Sequence, residues 1–139
     1  MPAAMDNPYR IELDDLGDRI LLCLEEWDGV RTIHMNPDPA ATPEPSPMGY
    51  SVGHWDGDTL VVETSRINYP YFDDLGTPQG EALRVTERFE LDANARTLSW
   101  TAEIVDPQTF TEPVVLEILW LWIPGNELKS FSCALPGND

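Results

Sequence analysis

Short runs rich in Val, Ile, Leu, Thr and aromatic residues recur along the chain, separated by Asp-Gly, Pro-Gly and Asp/Asn-rich breaks, with almost no helical periodicity. Runs of that length and composition predict β-strands. They fall near Arg19 to Trp27, Val30 to Met35, Tyr50 to Trp55, Thr59 to Ser65, Ala82 to Leu91, Thr97 to Val105, Pro113 to Trp122 and Glu127 to Cys133, with a weaker run near Tyr9 to Leu13. No helical segment is available to cover an open sheet, so its edges are best removed by closing the strands on themselves. The expectation is a single domain over residues 1–139, all-β, a lipocalin-like antiparallel β-barrel of about eight strands, with a β-sandwich as the alternative. Five Trp, four Tyr and four Phe supply the large side chains for one core.

The charge balance narrows the partners. Against 25 Asp and Glu stand eight Lys and Arg, a formal charge of −17, and such a surface field repels phosphate backbones and anionic headgroups. No nucleic-acid or membrane partner is expected. The most apolar stretch, Val114 to Ile123, is interrupted by Glu117 and is well short of the roughly 20 residues that span a bilayer. The N-terminus has neither a basic patch nor an apolar run. The expected location is therefore soluble, cytoplasmic or, if a leader has been removed, periplasmic. Cys23 and Cys133 lack the spacing of a zinc or redox motif; they form either a disulfide or two buried thiols.

Two loops stand out. Residues 36–48 hold five prolines, which cannot donate ladder hydrogen bonds, and so predict a stiff connector. Residues 66–80 carry Tyr69, Tyr71 and Phe72 on a path too long for a hairpin. That loop is either a lid, with Tyr69 and Tyr71 as ligand contacts, or a crossover packed on the barrel end. Trp27-Asp28-Gly29 and Trp55-Asp56-Gly57 each predict a hairpin tip with Asp-Gly as a two-residue turn. In that register Glu26 faces Arg31, Cys23 faces His34, and Tyr50 faces Glu63 with His54 further along the same face.

These registers nominate the candidate site. Arg31, paired with Glu26 at the rim of an apolar face, is either a surface ion pair or a group that positions a polar ligand. Tyr50, Glu63 and His54 share a face able to transfer protons if it lines a cavity. Glu87 sits within the row Leu83, Val85, Phe89 and Leu91, and Glu117 between Val115 and Leu119. A carboxylate in an apolar row is hydrogen-bonded, paired with Arg, or raised in pKa and able to act as acid or base. Gly49-Tyr50-Ser51-Val52-Gly53 matches a hydrolase nucleophile elbow in letters only, since the strand, turn and helix it requires are missing. No spacing converges on a metal, and no cofactor is expected.

Met48-Gly49-Tyr50-Ser51-Val52-Gly53-His54-Trp55-Asp56-Gly57-Asp58-Thr59-Leu60-Val61-Val62-Glu63-Thr64 resembles a group of small bacterial proteins, many of them exported. The likeness continues through Tyr71-Phe72-Asp73, Gly76-Thr77-Pro78, Glu81 to Phe89 and Asp106 to Pro113. It implies a compact β-rich domain and names no reaction. Where many members have His-Ser before the glutamate, this chain has Gln79-Gly80 before Glu81.

The functional expectation is a small-molecule site in the barrel cavity for an apolar or amphipathic, neutral or cationic ligand. Glu87, Tyr50 and Glu63 are its candidate acid–base groups for a cofactor-free isomerase, lyase or hydrolase. Arg31, His54, Tyr69, Tyr71 and Glu117 are its candidate contacts. The alternatives are a ligand-binding protein without turnover, or an interaction module that uses residues 113–123 as the surface of a homodimer.

Overall fold

A computed structural model describes residues 2–7 and 9–131. One helical turn, α1 (Pro2–Met5), precedes eight strands: β1 (Ile11–Asp15), β2 (Arg19–Leu24), β3 (Gly29–His34), β4 (Tyr50–Asp56), β5 (Thr59–Ser65), β6 (Arg84–Asp92), β7 (Thr97–Val105) and β8 (Val114–Leu121). They form one sheet in sequence order, β1 and β8 at its ends, curled into a half-barrel. Alternation along each strand explains the curl's two sides. Leu22, Ile33, Leu60, Val62, Val85, Phe89, Trp100 and Ile104 point to the concave side and are buried, while their sequence neighbours, apart from the buried Val61, are half-buried or exposed on the other side. Met5 of α1 is buried in the same core.

Six of the seven pairings are antiparallel as expected; β3 and β4 instead run parallel, in a ladder of two residue pairs, Ile33 opposite Ser51 and His34 opposite Val52. A parallel neighbour needs a connection long enough to return the chain to its starting end, and the proline-rich segment supplies it. The expected strand Glu127 to Cys133 is absent over residues 127–131, which run as an irregular tail. Its last two residues, and with Cys133 the pairing to Cys23, lie outside the described residues.

Both hairpin registers differ from the expected ones. The first tip is not a two-residue turn. Leu24 pairs with Gly29 across a four-residue loop that carries a 3-10 turn at Glu26–Asp28. Trp27 (φ 60°) and Asp28 (φ 48°) are both left-handed there. The tail holds this shape: the Trp27 ring lies 4.7 Å from that of Phe131, whose backbone N–H donates to Asp28 Oδ1 at 2.9 Å. Arg31 therefore sits opposite Leu22 rather than Glu26, and His34 opposite Arg19 rather than Cys23. The slip is an even number of residues, so the concave set survives. In the second hairpin the turn residues are Gly57 and Asp58, with positive φ at Gly57 alone, the pattern of a type II′ turn. Tyr50 consequently faces Ser65, and Glu63 faces Val52.

The loop at 66–80 is anchored by two buried side chains and otherwise largely exposed. Ile67 and Phe72 are buried, and Phe72 meets Phe110 edge-on at 5.0 Å. Asp73 closes the loop on itself by accepting from the Thr77 hydroxyl at 2.6 Å and from the backbone N–H groups of Leu75 and Thr77.

Candidate functional site

Five consecutive strands each contribute one polar side chain to the concave core: Arg31 from β3, Ser51 from β4, Thr64 from β5, Glu87 from β6 and Trp100 from β7. All five are at most 1% exposed. The registers bring them together, since Ile33 pairs with Ser51, Ser51 with Thr64, and Val62, two residues before Thr64, with Glu87. Arg31 forms a bidentate ion pair with Glu87: Nη1 donates to Oε1 at 2.8 Å and Nη2 to Oε2. Its Nε donates to Ser51 Oγ at 2.8 Å, and Nη2 also donates to Thr64 Oγ1 at 2.6 Å. The two hydroxyls lie 2.9 Å apart, and Trp100 Nε1 donates to Glu87 Oε1 at 3.0 Å.

Charges this deeply buried persist only when paired and hydrogen-bonded. Here both carboxylate oxygens and all three guanidinium nitrogens are engaged. The planar fork of Arg matches the carboxylate, a geometry that Lys could not supply. Glu87 is thus the Arg-paired alternative of the three that its apolar row allowed.

The other candidates are not brought to this cluster. Tyr50 is half-buried on the convex side, its ring stacked on His34 at 4.8 Å. His54 and Glu63 are exposed on that same side. Tyr69 and Tyr71 are 45% and 48% exposed and meet each other edge-on at 6.1 Å. Glu117 is exposed on the convex face of β8. Sequence reasoning missed Ser51, Thr64 and Trp100. The available signal was the alternation itself, which sets Ser51 in a row with Gly53 and Trp55 and Thr64 in a row with Leu60 and Val62.

A second polar knot lies at the end of β7. Asp106, 1% exposed, accepts from the Gly80 N–H at 2.6 Å, the Thr109 hydroxyl at 2.7 Å and the Gln108 N–H at 3.2 Å. Burial pushes its carboxyl up, but these bonds together outweigh burial and hold it below the ordinary 3.8. A Cβ at Gly80 would stand 2.7 Å from Gln108 Oε1 and 3.1 Å from Asp106 Oδ1, so a larger residue there would have to displace the Gln108 side chain. On the convex side, burial and then the carboxylates of Glu12 and Asp14 push the Cys23 thiol above 9.0, which disfavours the thiolate.

The two end strands, which among the described residues pair on one side only, differ in chemistry. β1 carries Glu12, Asp14 and Asp15, all exposed, in five residues. β8 is eight residues long with Glu117 as its one charge. Its concave-side residues Val114, Leu116, Ile118 and Trp120 are half-buried, and its convex side leaves Val115, Leu119 and Leu121 between 55% and 68% exposed. Trp122 and Ile123 extend this exposed apolar strip.

Among the described residues no group of three or more His, Cys, Asp and Glu side chains is placed to hold a metal, and no helix is long and apolar enough to cross a membrane. No family model, no curated protein and no solved structure matches the chain.

Proposed function

We propose that this protein is an interaction module that accepts a β-strand of another polypeptide along β8. The unguarded edge carries the proposal: an eight-residue strand with a single charge, apolar on both faces and, among the described residues, paired only with β7. Natural sheets blunt such edges with charge, proline or brevity. β1 shows that treatment and β8 does not. Strand addition would let main-chain hydrogen bonds supply affinity and the alternating side chains supply selectivity. Titrating the 15N-labelled protein with a peptide of alternating Val and Thr tests this. Shifts confined to residues 114–123 are expected. Shifts elsewhere, or none up to about 1 mM peptide from protein that is monomeric under those conditions, would refute it.

Catalysis is left out of the proposal, because both oxygens of Glu87 already accept hydrogen bonds and neither Tyr50 nor Glu63 reaches it. One observation favours an apolar ligand held in a lipocalin-like hollow as a second possibility. Ile11 and Leu13 of β1 and Leu116 and Trp120 of β8 stay half-exposed on the concave side. A neutral solvatochromic dye would gain fluorescence on binding there, and Leu116→Asp would abolish the gain. A signal unchanged by that substitution would exclude the hollow.

A further inference from the structure

We infer that the strand received by β8 is β8 of a second copy of this chain, paired antiparallel about a two-fold axis at Ile118. This rests on the edge proposal above and names its partner.

Three observations single out a second copy and its register. First, the exposed apolar strip formed by Val115, Leu119, Leu121, Trp122 and Ile123 runs along the β8 edge itself, where a second copy would offer the same apolar side chains. A second β8 laid beside the first extends this strip across the join, so Val115, Leu119 and Leu121 gain lateral contacts with the corresponding side chains of the other copy. Second, pairing β8 with β1 of another copy would place Glu12, Asp14 and Asp15 along the join and propagate head to tail. Pairing β8 with itself buries none of these charges and closes at two chains.

Third, the strand is self-complementary in one register. A two-fold at Ile118 sets Leu116 against Trp120 on the concave side, and Val115 against Leu121 on the convex side, with seven residues of β8 paired. Glu117 then faces Leu119 of the other copy. A two-fold at Glu117 would instead put like charges directly opposite, which is destabilising, and a two-fold at Leu119 would shorten the paired length. With the axis at Ile118 the two Glu117 carboxylates are diagonal neighbours about 7–8 Å apart, a distance comparable to the screening length at physiological salt.

The test combines association state with a charge swap at an exposed position. Leu119 is 63% exposed in the single chain, so its substitution leaves the fold intact. Sedimentation velocity of the full chain is expected to show a dimer at about 50 μM. Leu119→Asp, which faces Glu117 of the other copy with a like charge, weakens the dimer at least about tenfold, whereas Leu119→Lys keeps it within about threefold of the parent. In a Cys23→Ser, Cys133→Ser background, Ile118→Cys oxidises to a covalent dimer and Val115→Cys does not. Two copies of residue 115 would stand about 20 Å apart in this register. A monomer at about 200 μM that still binds the Val/Thr peptide on residues 114–123 overturns the self-pairing and leaves the edge proposal standing; a monomer that binds neither overturns both. A dimer equally insensitive to Leu119→Asp and Leu119→Lys overturns the register and the β8 interface.

Discussion

Removing one charge of the Arg31–Glu87 pair should cost more than removing both. In Arg31→Met the carboxylate of Glu87 stays at 0% exposure with Trp100 Nε1 at 3.0 Å as its remaining short donor. An uncompensated buried charge of that kind costs about 3–5 kcal/mol. Glu87→Leu alone strands the guanidinium in the same way and falls in the same range. In the double variant Arg31→Met/Glu87→Leu no charge remains, and Ser51 and Thr64 keep each other at 2.9 Å. The orphaned Trp100 N–H then dominates, at about 1–3 kcal/mol. The coupling between the two sites is therefore expected to exceed about 3 kcal/mol. Urea unfolding at neutral pH, followed by both far-UV circular dichroism and tryptophan fluorescence, measures all four corners of the cycle. A native stability of about 5–15 kcal/mol leaves room for the single variants to be read. A double variant as costly as the sum of the singles would refute the view that these groups stabilise chiefly by neutralising one another.

Further outcomes follow from other sites. Gly53→Ala places a Cβ 2.7 Å from Ile33 Cγ2 and 2.8 Å from Met35 Sδ, so calorimetry should show a loss of about 1–3 kcal/mol from overpacking the β3–β4 seam; an unchanged melting temperature would contradict that packing. Asp106 has a folded pKa below its unfolded value of 3.8, so its contribution is complete above that pH and is lost as the pH falls through the lower folded value. Asp106→Asn should accordingly flatten the acid limb of the stability curve below about pH 4, and an acid limb of parental steepness would exclude Asp106 as its source. Arg66 adopts a left-handed φ of 56°; Arg66→Gly should stabilise by about 0.5–1 kcal/mol in urea titrations, and a loss would show that its side chain contributes more than its backbone costs. Because each chain carries −17, raising the salt from about 0.05 to 0.5 M should tighten the β8 dimer by screening repulsion between the copies; weakening with salt would point to an interface held by ion pairs.

The eight strands are legible in the chain because alternation is a local property. Leu83, Val85, Glu87, Phe89 and Leu91 announce their shared side within nine residues, and Glu87 stands out in that row as a carboxylate needing a partner. Arg31 is less legible. Its place depends on how Glu25 to Asp28 turn, and that turn is held by Phe131, far away in sequence. Asp-Gly favours a two-residue turn locally, and the tail contacts favour the longer one. Ser51 and Thr64 are obscured for a related reason, since either side of β4 and β5 is apolar enough to be the inner one. The parallel seam has no local code at all; its trace is the length of the proline-rich stretch, which lets the chain return to the end where β3 began before β4 starts in the same direction. The apolar character of both faces of β8 is read directly from Val114 to Leu121.

The seam of two residue pairs between β3 and β4 divides the sheet into a three-stranded and a five-stranded meander. Each meander is built from pairings between neighbours in sequence, so each can zip up early without closing a long loop. What unites them is a shared apolar core, with Arg31 reaching from the smaller unit into the larger as its polar tie. A break in the backbone within the exposed prolines would then yield two fragments able to find each other again, with the guanidinium as the key that fits only one lock.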